Sequence, residues 1–427
     1  MAIIELGYGQ AKLRFDYSET RFRVLGASST AHALHSPLSD MEITAAIDAP
    51  ILSLPLEEII NQGESVLIVV SDATRQTASG QIVNLLVRRL VQNGIAPADI
   101  SIIFATGIHR PVTAEEKREL LTPFVLQRIK TLDHDPDNAA QFIRFSETTN
   151  GAHIELIRAL REHDHVILTG GIGFHYFAGF TGGRKSICPG LASAETIAAT
   201  HMLALDFENG GGRRAGVGCG LLDGNRVHEA CESIAAGINP SFLINTVVDK
   251  DGRAVRVYAG DWRAAHRTGC VEYARDHSIK IDAKRKIVVA SCGGAPYDSN
   301  LIQAHKTLEM AAQACASGGA IILVAKCEEG FGRTDFLKWF DAEDSHALAE
   351  SLRERYEVNG QTAWALLTKA EAFKVYLISD LPDEDARQMR LIPARSIDDA
   401  LAQANAHAHV EAGYILPHGA SFLPVVD

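Results

Sequence analysis

Short apolar runs alternate with amphipathic segments along the first part of the chain. The runs SVLIVV (65–70), ISIIFA (100–105) and HVILTG (165–170) are rich in β-branched residues and predict buried strands. Between the first two, QIVNLLVRRLVQNG (81–94) has helical spacing and ends in Asn-Gly. Strands that alternate with helices in this way predict an α/β fold with a mostly parallel sheet flanked by helices.

A second series of apolar runs follows in the last third of the chain. KIVVASC (286–292), AIILVAKC (320–327) and VYLISD (375–380) predict three more strands, with helical patterns between them. The polar stretch around residue 275 separates the two series, so we expect domains at 1–275 and 276–427. Glycine and proline punctuate the C-terminal tail, which could return to the first domain, and we expect the active site in the interdomain cleft.

Length, charge and cysteine content narrow the class of protein. A chain of 427 residues is long enough for two cores, and its net charge of −12 argues against a nucleic-acid surface. The N-terminus lacks the pattern of a signal peptide and no apolar run is long enough for a membrane helix, so we expect a cytoplasmic protein. The seven cysteines form no CxxC pair, which disfavours a disulfide scaffold or a zinc ribbon.

Reactive side chains follow each of the first three predicted strands. In parallel sheets the ligand lies outside the carboxyl ends of the strands, where such residues converge. Asp72, Thr74 and Arg75 follow the first strand, and Thr106, His109 and Arg110 follow the second. His175 and the glycine-rich segment that leads to Lys185 follow the third strand, and His201 lies on the next helix. Convergence of three histidines and a lysine at one edge predicts a functional site.

The other histidines lack this convergence. His134 lies in LDHDPDN (132–138), where three aspartates would suit a metal, but the composition is also that of a turn, which we favour. The remaining histidines with polar or helical surroundings are predicted to be solvated or to cap helices: His32, His35, His153, His163, His266, His277, His407 and His409.

The stretch GFTGGRKS (179–186) is similar to a phosphate-binding P-loop, but Arg184 stands where that motif requires glycine. The stretch also does not follow its strand directly, which disfavours a nucleoside triphosphatase. Its glycines could still let backbone amides approach a phosphate. A nicotinamide-dependent 2-hydroxy acid dehydrogenase would need a GxGxxG turn with an acidic partner, and the glycine run offers neither.

Several long motifs, in order along the chain, resemble the nickel-dependent lactate racemase family, which uses a nickel-pincer nucleotide cofactor. The central motif is HYFAGFTGGRKSICPGLAS (175–193), followed by THM (200–202). The others are SDATR (71–75), ATGIHRPVT (105–113), HDPDN (134–138) and GGAPYDSNLIQAHK (293–306). Together these motifs span most of the chain to about residue 310, and their order makes the resemblance specific.

The resemblance implies a role for each matching residue. Lys185 would hold the cofactor covalently through a thioamide, His201 would bind the nickel, and His109 with His175 would be the catalytic acid–base pair. The other implied positions are Asp72, Thr74, Gly182 and Gly183 for the cofactor, and Arg75, Gln303, Lys306 and Trp364 for the substrate. The family also implies cofactor-biosynthesis enzymes as partners.

The implied reaction inverts C2 of a 2-hydroxy acid by removal and return of hydride. A histidine takes the hydroxyl proton, and two histidines serve because the hydroxyl of each enantiomer points to a different side. Gln76 stands where the family often has proline, and Ile302 where lactate racemase has tyrosine. Because Ile302 lies on the substrate side, the substrate stays open among lactate, malate, aromatic, longer aliphatic and sugar acids. A homologue that had lost the chemistry is the remaining alternative.

Overall fold

The computed structural model describes residues 1–26, 36–147, 153–407 and 412–427. Its strands, in chain order, are β1 (Ala2–Tyr8), β2 (Ala11–Tyr17), β3 (Phe22–Val24), β4 (Val66–Ser71), β5 (Ile100–Ala105), β6 (Lys130–Leu132), β7 (Phe142–Glu147), β8 (His153–Ile157), β9 (His165–Gly171), β10 (Phe174–His175), β11 (Gly179–Phe180), β12 (Leu205–Asp206), β13 (Gly212–Arg213), β14 (Phe242–Val248), β15 (Ala254–Gly260), β16 (Ser278–Ile281), β17 (Arg285–Ser291), β18 (Cys315–Val324), β19 (Lys374–Ile378), β20 (Ile392–Pro393), β21 (Gly413–Leu416) and β22 (Leu423–Val426).

The α-helices lie between these strands, with a few short 3₁₀ turns. They are α1 (Asp40–Asp48), α2 (Leu56–Ile59), α3 (Ser79–Gln92), α4 (Ala114–Leu120), α5 (Pro123–Leu126), α6 (Ala159–Glu162), α7 (Ala194–His201), α8 (Arg226–Ile238), α9 (Trp262–His277), α10 (Leu301–Ala314), α11 (Ser345–Glu354), α12 (Val358–Ala372), α13 (Asp383–Gln388) and α14 (Ile397–His407). Among the described helices, none combines the length and the apolar character that crossing a membrane requires.

The described residues form two compact units. The central unit comprises residues 36–147, 153–204 and 214–276. The terminal unit carries both ends of the described chain and comprises residues 1–26, 205–213, 277–407 and 412–427. The chain therefore leaves the central unit for a short excursion at 205–213 before it returns.

The central unit is built on a six-stranded sheet in the order β15-β14-β9-β4-β5-β6. Every neighbouring pair is parallel except β14 with β15. The three apolar runs that predicted strands in this part of the chain form its neighbours β9, β4 and β5. Residues 66–70 are buried throughout, because helices cover both faces of the sheet. The prediction of an α/β fold with mostly parallel sheets is confirmed.

The terminal unit contains a second six-stranded sheet, in the order β20-β19-β18-β17-β21-β3, and all of its pairs are parallel. The first residues of the chain belong to the terminal unit, whereas the expected boundaries had placed them in the first domain. The reason is that β3 pairs with β21, and that the β1–β2 hairpin packs Leu6 and Phe15 into the core of the terminal unit. The tail also stays in this unit, since β21 pairs with β17 and β22 with β16. Apolar periodicity predicts that a strand forms, but it does not specify which sheet the strand joins.

A buried carboxylate joins three segments of the terminal unit. Glu309 on α10 is 2% exposed and accepts hydrogen bonds from both Arg213 Nη atoms at 3.0 and 2.7 Å and from Lys369 Nζ at 3.0 Å. Burial by itself raises the pKa of Glu309, but the charges of Arg213 and Lys369 outweigh burial and lower it to about 2. The carboxylate is therefore ionised at neutral pH, and it fixes the β12–β13 excursion and α12 to α10.

We predict that Glu309→Gln destabilises the terminal unit by about 3–5 kcal/mol, because removing one partner leaves two cations buried without their counter-charge. The pKa of Glu309 is lower in the folded chain, so its contribution is complete above the unfolded value near 4.5 and is lost as pH falls toward 2. Urea unfolding at pH 7 measures the difference. The control Glu350→Gln removes an exposed ion pair with Arg353 and should change stability by less than about 0.5 kcal/mol; an equal loss in both variants would contradict the prediction.

Candidate active site

The loop after β4 orients a histidine from the loop after β5. His109 Nδ1 lies 2.6 Å from Asp72 Oδ2, while the backbone amide and hydroxyl of Thr74 donate to Asp72 Oδ1 at 3.0 and 2.6 Å. Burial raises the pKa of Asp72, but the hydrogen bonds from His109 and Thr74 and the charge of Arg75 outweigh burial and lower it. The ionised carboxylate accepts the Nδ1 proton, so Nε2 is the nitrogen of His109 that can exchange a proton with a ligand.

A small hairpin after β9 presents the second predicted histidine. His175 lies on β10, which pairs with β11. Its Nδ1 accepts from the backbone amides of Phe177 and Ala178 at 3.5 and 3.3 Å, and its Nε2 lies 3.0 Å from Lys185 Nζ. Burial, and then the charge of Lys185, lower the pKa of His175 well below its usual value, so the imidazole is neutral.

Lys185 lies in a tight turn of residues 182–186, which we call the lysine turn. Its amide donates to Gly182 O at 3.2 Å, and its Nζ stands 5.3 Å from the centre of the Phe177 ring. Burial, and next the charge of Arg184, lower the pKa of Lys185 to about 7. A large share of Lys185 is therefore an uncharged amine near neutral pH, the form that can act as a nucleophile.

His201 ends α7, whose N-cap Ser193 accepts a hydrogen bond from Thr196 N. Its side chain is buried and meets the edge of the Phe177 ring at 4.9 Å between centres. Burial, and then the charge of Lys185, lower the pKa of His201 to about 3. A neutral imidazole is the form that ligates metals.

The donors available to a metal at this place are few. In the part of the chain that the structure describes, no three His, Cys, Asp or Glu side chains are grouped so as to hold a metal ion.

The lysine turn requires glycine at two positions. Gly182 and Gly183 have φ values of +77° and +55°, and a Cβ atom would lie 2.7 Å from Asn245 Oδ1 and 2.6 Å from the ring of His266, respectively. Asn245 Oδ1 also accepts the Gly183 amide at 3.0 Å. These glycines are needed for the turn's backbone and its packing, whatever ligand they contact.

Two residues that hold the lysine turn were missed in the sequence. Asn245 is a fully buried amide within the otherwise apolar run FLINTVV, and a polar residue in a central strand was the available signal. His266 was predicted to be solvated or capping, and this is wrong: it is 3% exposed and its Nε2 lies 3.0 Å from Thr181 O. The polar neighbours of His266 along the chain, Arg263 and Arg267, are more exposed than His266 and masked its burial in the sequence pattern.

His134 is packed in the interior, and its segment forms the turn that the sequence favoured. It is fully buried, with Nδ1 2.9 Å from Thr106 Oγ1 and Nε2 3.0 Å from Ala192 O, and burial lowers its pKa to about 4. The Asp137 amide donates to Asp135 Oδ1, as in an Asx turn. Of the other histidines, His32, His35, His409 and the side chain of His407 lie outside the described residues.

Three residues predicted to contact the substrate belong to the terminal unit. Gln303 and Lys306 lie on α10, where Lys306 Nζ donates to Gln303 Oε1 at 2.6 Å. Trp364, on α12, is 1% exposed and part of the core. Its position thus gives no support to the prediction that it contacts substrate, because a tryptophan in the middle of a helix can be buried as readily as it can line a pocket.

The central unit therefore presents three imidazoles, of which one is oriented by a carboxylate and two are neutral, together with the amine of Lys185, whose pKa is about 7, at the carboxyl edge of a mostly parallel sheet. This arrangement is typical of α/β enzymes that move protons on a small bound molecule.

Comparison with known proteins identifies the family. Models described as the lactate racemase N-terminal and C-terminal domains match residues 8–211 and 281–423. The lactate racemase of Lactiplantibacillus plantarum is 30% identical over 95% of each chain, and that of Thermoanaerobacterium thermosaccharolyticum is 29% identical over 99% of each. The chain therefore belongs to the lactate racemase family and is an isomerase of that family, which confirms the resemblance seen in the sequence.

Solved structures agree with this assignment. The lactate racemase apoprotein from Thermoanaerobacterium thermosaccharolyticum superposes with a TM-score of 0.88 at 28% identity and covers 99% of this chain and 100% of its own. A protein from Thermotoga maritima has a TM-score of 0.65 at 19% identity over 92% of this chain and 100% of its own, which shows a shared fold alone.

We predict that Gly183→Ala lowers the stability of the central unit by about 2–4 kcal/mol, since the new methyl group meets His266 at a left-handed φ. Gly63→Ala is the matched control, because Gly63 also has a left-handed φ of +88° but nothing within 4 Å of the added Cβ. The control substitution should lower the stability of the central unit by about 1–2 kcal/mol. Urea unfolding compares the two, and an equal loss would show that the contact with His266 is unimportant.

Proposed function

We propose that this protein racemises or epimerises a 2-hydroxy acid at C2, with a nickel-pincer nucleotide attached to Lys185. The observation that carries the proposal is the 3.0 Å contact between Lys185 Nζ and His175 Nε2, beside the buried imidazole of His201. The family membership supports the reaction class. The named relatives are lactate racemases, so a small 2-hydroxy acid is the substrate class we propose for this chain.

The residues present fit such a cofactor. Lys185 has a pKa of about 7, so its amine can attack an activated carbonyl or thiocarbonyl carbon without first losing a proton to a stronger base. His201 supplies a neutral imidazole, which together with sulfur and carbon donors from the cofactor suits nickel. When bound, the cofactor would supply the acceptor for hydride from C2.

The side chains then manage the protons of the substrate hydroxyl. His109, whose Nδ1 proton is held by Asp72, can take a proton at Nε2. His175 approaches Lys185 through its own Nε2, so each of the two imidazoles can serve one enantiomer. Loss of the hydroxyl proton together with hydride from C2 would give a planar 2-keto acid. Return of hydride to the opposite face of C2, and of a proton to the oxygen, would invert C2.

The substrate carboxylate would be held by cationic and polar side chains. Arg75 lies three residues after Asp72 in the loop after β4, and its charge contributes, after burial and other cations, to the lowered pKa values of His175 and Lys185. We assign it to the carboxylate. Gln303 and Lys306 remain predicted substrate residues. Ile302, next to Gln303, would make contact with the substrate's side chain, and a panel of 2-hydroxy acids would identify which side chain is preferred.

We predict that protein made together with cofactor-biosynthesis enzymes interconverts the enantiomers of a 2-hydroxy acid without added nicotinamide. His109→Ala and His175→Ala should retain the cofactor and lose about 10²–10⁴-fold in rate, because each removes one acid–base group. Chiral chromatography with lactate as the first substrate measures the exchange. His163→Ala is the control, since His163 bonds to a helix carbonyl, Ala159 O. Full activity in both site variants would remove their proposed roles.

We predict that Lys185→Ala abolishes covalent attachment of the cofactor and the associated nickel, because the attacking amine is gone. Intact-protein mass and metal analysis are the measurements, and both can be made without an activity assay. Lys250→Ala, which removes an exposed lysine paired with Asp251, should load like the wild-type protein. An adduct of unchanged mass on the Lys185→Ala protein would contradict the assignment.

A further inference from the structure

Arg184 is the one residue of GFTGGRKS whose type the proposed function does not explain. Its side chain is 1% exposed, and no carboxylate in the described part of the chain forms an ion pair with it. A buried guanidinium is costly unless its donors are used. Its polar contacts should therefore indicate why an arginine stands at this position.

The guanidinium binds backbone carbonyls at both ends of the segment that follows His175. Arg184 Nη2 donates to Ala178 O at 2.6 Å, and Nη1 donates to Gly182 O at 3.3 Å. These carbonyls flank β11 (Gly179–Phe180), the strand that pairs with β10. One side chain thus closes the hairpin of His175 onto the lysine turn.

His266 supports the same arrangement from α9. Its Nε2 lies 3.2 Å from Arg184 Nη1 and 3.0 Å from Thr181 O. Burial, and next the charge of Arg184, lower the pKa of His266 to about 3, so a neutral ring stands beside the guanidinium. The Arg184–His266 pair therefore contacts the carbonyls of residues 178, 181 and 182, which surround β11.

The held hairpin determines how His175 is presented. The amides of Phe177 and Ala178 point at His175 Nδ1, and Ala178 is the residue whose carbonyl Arg184 binds. Because an amide N–H can only donate, these contacts favour the tautomer of the neutral ring whose proton is on Nε2. His109 is held in the opposite way, with its Nδ1 facing the Asp72 carboxylate. The two imidazoles thus rest in different tautomers.

We propose that Arg184 is a positioning residue for the reaction: its guanidinium holds the β10–β11 hairpin so that the Nε2 edge of His175 faces Lys185. This inference rests on the proposed function for its catalytic meaning. Its structural content, the fixed tautomer of His175, belongs to the protein without cofactor and can be measured separately. A methionine would fill similar volume without donors, whereas a lysine would keep the charge and could reach one carbonyl.

The first measurement is ¹⁵N NMR of histidine-labelled protein without cofactor, with the His175 signals assigned by their loss in His175→Gln. The wild-type protein should show a bare Nδ1 and a protonated Nε2. Arg184→Met should shift both nitrogens toward values averaged between the tautomers, and Arg184→Lys should lie between the two. The control is Arg267→Met. Arg267 lies on α9, the helix of His266, and its substitution removes an exposed ion pair with Asp223, so the His175 signals should stay unchanged.

The second measurement uses the loaded enzyme. Arg184→Met should reduce kcat by about 10²-fold because the His175 imidazole is displaced, with KM changed by less than about threefold and with partial recovery in Arg184→Lys. If the methionine variant does not fold, the lysine variant decides by the same two readouts. A His175 tautomer and a kcat both unchanged in a folded variant would overturn the proposal. If the wild-type protein fails to load the cofactor, the proposed function fails, while the NMR comparison still decides whether Arg184 positions His175.

Discussion

The site depends on one constraint, which is the close packing of the lysine turn against the end of the central sheet. Gly182 and Gly183 have positive φ angles, and Asn245 and His266 occupy the space that a side chain at these positions would need. This contact withdraws Lys185 from water, and withdrawal is the largest cause of its lowered pKa. A looser turn would hydrate the amine and return it to the charged form, in which it cannot act as a nucleophile.

The same packing explains why the cluster is mostly uncharged. Lys185, Arg184, His175 and His201 lie close together, so each cation that stays charged makes protonation of the next group less favourable. Arg184 keeps its charge because its fork is hydrogen-bonded to carbonyls. Burial, and then the charge of Lys185, keep His175 and His201 neutral, and this is the form needed for proton transfer and for metal binding. Asp72 serves the other imidazole, His109, where solvent is near.

The sequence predicted the parts of this arrangement that follow from local pattern. The runs at 65–70, 100–105 and 165–170 became neighbouring strands, and the rule that ligands lie at their carboxyl ends correctly brought Asp72 and His109 together. The motifs also identified the family. Local pattern could not assign β3 and the β1–β2 hairpin to the terminal unit, because strand pairing between chain ends is a long-range contact.

The positions of several side chains depend on long-range packing, which the local sequence does not predict. His266 lies 82 positions after Arg184 and is separated from it by several elements, so nothing in its own neighbourhood predicted the contact. Trp364 was assigned to the substrate by resemblance, yet it lies in the core of the terminal unit. Burial of an aromatic residue is decided by which face of the helix meets the sheet, and the pattern of α12, with nearly all of residues 360–367 buried, gives no polar face to distinguish.

The central claim is that these side chains manage hydroxyl protons while hydrogen at C2 leaves and returns as hydride. The most direct measurement is the fate of deuterium in enantiopure lactate labelled at C2, incubated with loaded enzyme in ordinary water and analysed by mass spectrometry after chiral separation. The inverted enantiomer should retain deuterium at C2, because hydride transfer does not exchange it with solvent. Replacement of that deuterium by solvent hydrogen at the rate of inversion would show instead that a base removes a proton from carbon.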